Sequence, residues 1–428
     1  MSVWIALAVF IAAYALIATE RIPRVVAALS GAGIVLALGI VGAHDIFYSE
    51  ERGIDWNVIF LLFGMMVIVS VLRQTGIFEF LAIWAAKRAR GKPFRVMALL
   101  CLLTAGASAL LDNVTTVLLV APVTLLVCQR IGVRPEPYLI AEVLASNIGG
   151  TSTLVGDPPN IIIASRAGLS FNDFLIHLAP FIVVVLIVFV GLCRVLFRRA
   201  FVADPAKAAD VMTLSEREAI TDMRLLRRCL IVAGGVLAGF VLHTVIHVEP
   251  SIVALLGAGL LVLVSRLGPD SFLQEVEWET LVFFMGLFIL VGSLVKVGVI
   301  DQIAEWLAGA VRGNVELAIV LLLFGSAVLS AFVDNIPFVA TMSPVVAQLV
   351  GPDGALAGET VLWWALALGA DLGGNATAVG ASANVVTIGI ARRSGFPISF
   401  WEFTKYGAVV AAITIVLSVP YLLLRYVW

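Results

Sequence analysis

The chain has 428 residues, 61% of them apolar and 13% charged, with a mean hydropathy of +1.08. Soluble domains are usually about 45–50% apolar and about 25% charged, so this chain belongs in a bilayer; at roughly 20 residues per spanning helix it leaves no room for a large soluble catalytic domain. The formal charge of −2, with no basic arm carrying interleaved aromatics, excludes nucleic acid as a partner.

In chain order, apolar runs at 3–19 and 25–42 are separated by Glu20-Arg21-Ile22-Pro23, which reads as a retained helix rather than a signal peptide. A run at 57–72 is followed by 77–90, where apolar and charged residues mix, as expected of an arm at the membrane surface. Runs 96–111 and 114–129 meet at Asp112-Asn113, the run 138–165 is interrupted by glycines and prolines, and 178–197 closes this part. The longest polar stretch then carries Arg198, Arg199, Lys207, Arg217, Arg224, Arg227 and Arg228. By the positive-inside rule it is cytoplasmic. Further runs follow at 229–246, 251–265, 279–295, 315–333, 336–350, 361–391 and 404–424, with a second mixed arm at 299–312. Arg21, Arg24, the Lys87–Arg95 cluster, Arg392, Arg393 and Lys405 share the cytoplasmic side only if 96–129 and 315–350 are re-entrant hairpins. That topology gives about ten full spans, with both termini outside.

The sequence repeats itself. Asp55-Trp56 matches Glu277-Trp278, Gly64 Gly286, Gly76 Gly298, Gly91 Gly313, Asp112-Asn113 Asp334-Asn335 and Pro122 Pro344, all 222 residues apart. After a two-residue insertion, Gly149-Gly150 matches Gly373-Gly374, Thr153 Thr377, Gly156 Gly380 and Asn160 Asn384, all 224 apart. An odd number of crossings per half inverts one half relative to the other, the arrangement that alternating access uses. The expected fold is an all-α polytopic membrane protein of two inverted-topology repeats of about five spans, each with a re-entrant hairpin and a broken helix. Its divisions are a first repeat over 1–198, a cytoplasmic linker over 199–228 and a second repeat over 229–428.

Each half holds two polar breaks. The first pairs Asp112-Asn113-Val114-Thr115-Thr116 with Asp334-Asn335-Ile336-Pro337 and is expected at the hairpin tips, where Asp and Asn also suit helix capping. The second pairs Ser146-Asn147 through Thr151-Ser152 to Asp157-Pro158-Pro159-Asn160 with Asp371 through Asn375 and Thr377 to Ser382-Ala383-Asn384. Paired glycines and Pro158-Pro159 force the helix open, and unwound backbone is tolerated at membrane depth only against protein or a wet cavity. The expected substrate-binding residues are Asn113, Thr115, Thr116, Ser146, Asn147, Thr151, Ser152, Asn160, Asn335, Asn375, Thr377, Ser382 and Asn384. Intramembrane acids are functional by default, so Asp112, Asp157, Asp334 and Asp371 are the expected ion-coupling residues. Asp157 aligns with Ala381 and Asp371 with Asn147, and these unmatched acids are where a coupling proton or Na⁺ is expected in one half only. The competing reading makes each a carboxylate locked by backbone N–H donors at a helix start.

No metal or cofactor is expected. His243 and His247 stand four apart without a third ligand nearby, and Cys101, Cys128, Cys193 and Cys229 lie in apolar segments without a CxxC or CxH spacing. No GxxxxGK[ST] occurs, so an ion gradient or a separate ATPase subunit supplies the energy and the chain is not expected to be an enzyme.

The stretch Asn147-Ile148-Gly149-Gly150 through Gly156-Asp157-Pro158-Pro159-Asn160, with Gly373-Gly374-Asn375 through Gly380-Ala381-Ser382-Ala383-Asn384, resembles the ion transporter superfamily. Within it the arsenite permease and melanosomal P-protein branch is most similar, in motif order and length, over nearly the whole chain. The resemblance implies inverted repeats divided between scaffold and transport domains, commonly as a homodimer. Length and hydropathy are most similar to those of the bacterial arsenite exporter. That implies export of As(OH)₃ or Sb(OH)₃ across the inner membrane in exchange for protons, sometimes beside an ATPase subunit. A sodium/proton antiporter of the same fold and an anion or carboxylate carrier are the alternatives. Dicarboxylate carriers of the superfamily carry Ser-Asn-Thr signatures, whereas here Ile148 follows Ser146-Asn147 and the tips read Asp-Asn. Hydrogen bonds from Asn113, Thr116, Asn335 and Asn375 suit reversible binding of a trihydroxide better than thiolates do, so cysteine-free protein is expected to transport.

Overall fold

The computed structural model describes residues 2–19, 21–49, 52–202 and 215–428. Glu20, Lys207 and the linker segment 203–214 lie outside the described residues, which are helical with no strand among them. The first half runs through helices Ser2–Thr19, Arg24–Ala37, the short Ala43–Tyr48 and Trp56–Arg73, then an arm helix, Ile77–Arg88. Pro93–Ser108 and Asn113–Ile131 form hairpin A, Glu136–Gly150 and Pro158–Ala167 form broken helix A, and the short Phe171–His177 and Ala179–Leu196 end the half. The second half repeats this order: Met223–Ile246, Pro250–Ser265, Pro269–Leu273, Trp278–Lys296 and the arm Val299–Val311. Hairpin B (Val315–Ser330, Asn335–Val350), broken helix B (Val361–Gly373, Ser382–Arg393) and Phe400–Tyr426 complete it.

Local chemistry sets these boundaries. Both arms start immediately after a glycine in the left-handed region, Gly76 at φ 73° and Gly298 at φ 77°, a conformation that costs other residues about 1–2 kcal/mol. Each hairpin turns at an aspartate that caps the returning helix. Asp112 accepts the Thr115 N–H at 2.8 Å and Asp334 accepts the Ile336 N–H at 3.1 Å, satisfying donors that a helix start leaves without partners.

Among the described residues seven helices are long and apolar enough to cross a membrane, and Asn113–Ile131 is one of them. It nevertheless belongs to a hairpin. At the base, Tyr138 Oη donates to the Pro93 carbonyl at 3.1 Å; at the tip, Thr153 Oγ1 donates to the Ala109 carbonyl at 2.5 Å. Both arms of hairpin A therefore run from the start of broken helix A to its break and stop there. Hairpin B repeats the tip contact, with Thr377 Oγ1 donating to the Ala331 carbonyl.

The two halves interlock. Helix Arg24–Ala37 packs on Trp278–Lys296 and Pro250–Ser265 on Trp56–Arg73, so each early helix lies against its partner half. Gly286 sits on Ala28 and Gly64 on Ala254; a Cβ at Gly64 would clash with the Ala254 backbone at 2.8 Å, and one at Gly286 would press on Ala28 at 3.0 Å. The same exchange joins Pro158–Ala167 to Asn335–Val350, and Ser382–Arg393 to Asn113–Ile131. Since Ala28 and Ala254 are equivalent, Arg24 takes the place that Pro250 holds in the other half.

Candidate functional site

The two hairpin tips and the two helix breaks meet at one buried point. Asn113 Nδ2 donates to Asn147 Oδ1 at 3.1 Å and to Asp157 Oδ2 at 2.9 Å. Asn335 Nδ2, from the other tip, reaches both oxygens of Asp157 at 3.4 Å. Asn147 Nδ2 crosses between the halves to Asn375 Oδ1 at 2.9 Å and Asn384 Oδ1 at 3.0 Å. Asn113, Asn147, Asp157, Asn160, Asn335, Asp371, Asn375 and Asn384 are all at most 3% exposed. These eight are the heart of the site.

Two of its amides hold the breaks open. Asn160 Nδ2 donates to the Thr153 carbonyl at 3.0 Å, and Asn384 Nδ2 donates to the carbonyls of Gly374 and Thr377 at 2.9 Å each. These are carbonyls a continuous helix would have satisfied, so the amides replace the lost ladder. Close helix contact shapes the same region. Any side chain at Gly149 would meet the backbone of Ala105, and one at Gly373 the backbone of Ala327.

The unmatched acids differ from each other. Asp157 stands at a helix start but accepts no backbone N–H there; its partners are the two tip asparagines, with the carboxyls of Asp371, Asp334 and Asp112 within electrostatic reach. Asp371 lies in the last turn of Val361–Gly373 with 0% exposure, and neither oxygen has a hydrogen-bond partner, although the Thr151 hydroxyl and the Asn160 amide lie beside it. Asn160 Oδ1 and Asn375 Nδ2 are likewise buried without partners. Neither acid is locked by backbone donors. In a medium this dry, unpaired carboxylates in mutual reach cost several kcal/mol each unless a proton or cation joins them.

The remaining expected residues divide. Ser146 Oγ donates to the Asn113 carbonyl at 3.3 Å, within the cluster, and Thr151 Oγ1 to the Asn147 carbonyl at 2.9 Å. Ser382 donates to Asp334 and receives a hydrogen bond from Arg24. Thr115 Oγ1 turns away toward Glu277 Oε1 at 3.4 Å, and the Thr116 hydroxyl is buried without a partner. Ser152 Oγ donates to the Gly149 carbonyl at 2.5 Å and Thr377 to the hairpin, so both serve the backbone.

Two residues that sequence reasoning placed elsewhere border the cluster. Arg24 reaches Asp334 at 3.7 Å and Thr280 at 3.3 Å, with its guanidinium 5.2 Å from the Phe283 ring centre. Glu277 accepts from Thr280 at 3.0 Å and lies near Asp112. A cavity of about 400 Å³ lined by Arg24, Phe283, Asp334, Ser382, Val385 and Val386 opens there. Its repeat counterpart, about 500 Å³, is lined by Asn57, Leu61, Leu154, Ile161, Ser165 and Pro250. In that second cavity His243 Nε2 accepts the Phe171 N–H at 3.3 Å, and among the described residues no three His, Cys, Asp or Glu side chains are placed to hold a metal.

The family model described as a citrate transporter matches residues 14–369. An uncharacterized transporter of Mycobacterium tuberculosis is 59% identical over 422 residues, 99% of this chain and 98% of the relative. A 46 kDa membrane protein of Mycobacterium leprae is 57% identical over the same length and shares. The human P protein is 34% identical over 503 residues, covering 99% of this chain and 60% of that protein. Among solved structures, the Alcanivorax borkumensis YdaH transporter, reported for its unusual topology, aligns with a TM-score of 0.56 over 86% of this chain and 84% of that one. Its identity is 17%, a likeness of fold. With most of its length matched by the family model and nearly all of it by these relatives, the chain is a membrane transporter and belongs to the CitMHS family of the ion transporter superfamily.

Proposed function

We propose that the chain exports small neutral trivalent metalloid hydroxides, As(OH)₃ and Sb(OH)₃, across the bacterial inner membrane in exchange for protons. The observation that carries the reading is the composition of the cluster: six buried amides with the buried carboxyls of Asp157 and Asp371, bordered by Asp112 and Asp334 at the tips and, among the described residues, by the single guanidinium of Arg24 at the edge. Such a lining offers donors and acceptors to three hydroxyls. It disfavours a free tricarboxylate such as citrate, which would set its own charges against Asp112 and Asp334 and, whenever they release their protons, against Asp157 and Asp371. In this reading the repeats over 1–198 and 229–428 exchange access around the cluster, joined by a cytoplasmic linker over 199–228. Asp157 and Asp371 carry the coupling protons, and two copies associate as a homodimer.

Sodium/proton antiport is the second reading, and the two unpartnered oxygens of Asp371 beside Thr151 and Asn160 favour it. Oxygen ligands in that number begin a site for a hard cation. The test uses purified protein in liposomes loaded with a pH-sensitive dye, given arsenite or sodium in turn. Proton movement tied to arsenite flux, absent with sodium and lost in Asp157→Asn, is the expected result. Proton movement with sodium alone overturns metalloid export and makes the cluster a sodium site.

A further inference from the structure

Outside this cluster lies a buried acid that, unlike the buried Glu136 with its Arg134 partner, has no cation beside it among the described residues. Glu142 sits in the middle of Glu136–Gly150, 3% exposed, against both helices of hairpin A. Its Oε1 accepts from Thr124 Oγ1 at 2.6 Å, while Oε2 is buried with no partner. The Thr104 hydroxyl lies beside the same carboxyl, fully buried and also without a partner in good geometry. We infer that Glu142, with Thr104 and Thr124, is a second proton-binding site, present in the first half alone; the inference rests on the proton-coupled reading above.

The repeat shows that the fold does not need an acid here. At the equivalent positions stand Leu366, Val346 and Ser326, and Leu366 is fully buried in the same kind of helix contact. The groups facing Glu142 are the thiols of Cys101 and Cys128, with Cys193 against Cys101. On its own helix, Tyr138 donates to Pro93 and Glu136 pairs with Arg134 at 2.6 Å, away from Glu142. No cation among the described residues compensates a charge on Glu142, and a lone charge in so dry a place is strongly disfavoured. A single proton resolves both orphans at once. Oε2–H donates to Thr104 Oγ1 while Oε1 keeps the Thr124 hydroxyl. A hard divalent cation takes about six oxygens or more, against the four supplied here by the two Glu142 carboxyl oxygens and the two hydroxyls.

The place of the group gives that proton a use. Ser146 stands one turn further along the helix, about 5–6 Å away, and donates to the carbonyl of Asn113 at the hairpin tip. Loss of the proton would leave a bare carboxylate between the hairpin and the broken helix, loosening the contact that holds the tip against the break. The step is a protonation alone. The carboxylate takes H⁺ from water on one side and returns it on the other, with no oxidant or co-reactant.

Infrared spectroscopy of the full chain in lipid tests this directly. The difference between wild type and Glu142→Gln, whose amide keeps both hydroxyl contacts, isolates the carbonyl stretch of this one carboxyl. We expect a protonated-carboxyl band at neutral pH that converts to carboxylate as pH rises, and in liposomes one proton fewer per arsenite moved by Glu142→Gln. Glu142→Leu, which copies the residue type of Leu366 in the other half, is expected to stay folded and lack the band. A band absent at neutral pH, or one unchanged across the alkaline range, overturns the inference. The band reports the carboxyl itself, so failure here is distinct from failure of arsenite exchange in the dye assay.

Discussion

Asp371 is the residue where burial and chemistry conflict most. Its carboxylate has no partner in a fully buried helix, whereas the amide at the equivalent position, Asn147, donates to Asn375 and Asn384. An amide at 371 gains a donor beside the unpartnered Asn160 Oδ1 and removes the chance of a buried charge. Asp371→Asn is therefore expected to raise thermal stability by about 1–3 kcal/mol while abolishing coupled transport, read by melting in detergent and by the dye assay. A lowered melting temperature would mean that the carboxylate is already satisfied. Gly149 behaves oppositely. A methyl there meets the Ala105 backbone, which no rotamer change relieves, so Gly149→Ala should lose about 1–3 kcal/mol. An unchanged melting temperature in that variant would show that the two helices can separate freely.

At the scale of the element, the arm Ile77–Arg88 shows how charge ties the segment 215–222 to the helices around it. Lys87 pairs with Glu216 at 2.5 Å, and Thr221 N–H donates to the Thr75 carbonyl at 3.1 Å. The Lys87 hydrogen bond holds the Glu216 carboxyl below its ordinary range. A carboxylate lowered in the folded state favours docking above its unfolded range, and that contribution is lost as pH falls through the lowered value. Hydrogen exchange of the 216–221 amides should therefore stay slow at neutral pH and accelerate only below the usual carboxylate range, with Glu216→Gln fast at both. Equal protection of Glu216→Gln and wild type would show that the ion pair contributes nothing, as many exposed pairs do.

Elements of this kind were the legible part of the chain. The 222- and 224-residue offsets, the Asp-Asn tips and the Gly-Gly and Pro-Pro breaks gave hairpins, broken helices and arms within a few residues of their observed limits. Local turn and capping chemistry dictates those features. Arg24, Glu277 and Glu142 escaped because their roles depend on packing between distant segments. Arg24 read as one more basic residue near a loop, yet the exchange of early helices between halves carries it to Asp334, more than 300 positions away. Glu277 read as the mate of Asp55, but Asp55 spends its oxygens on Val58 N–H and Ser165. Glu142 lay in an apolar run with nothing in its neighbours to distinguish it.

For the whole molecule, the decisive geometry is the relation between the two cavities. Arg24 and Pro250, Phe283 and Leu61, and Val385 and Ile161 are repeat equivalents, so an inverted pair of halves places the cavity at Arg24 and the cavity at Ser165 on opposite faces of the membrane. All four native cysteines are buried, and a thiol in that state reacts slowly with polar reagents. Val386→Cys and Ser165→Cys each add one reactive position. In oriented vesicles a membrane-impermeant maleimide should label Val386→Cys from one side only and Ser165→Cys from the other only. Labelling of both from the same side would break the inverted arrangement, and with it alternating access around the asparagine cluster. Arg24→Gln, which releases the Asp334 tip from its only guanidinium contact among the described residues, should raise the labelling rate at Val386→Cys and leave Ser165→Cys unchanged or slower. A rise at both would describe a leak through the molecule rather than an exchange between two closed states.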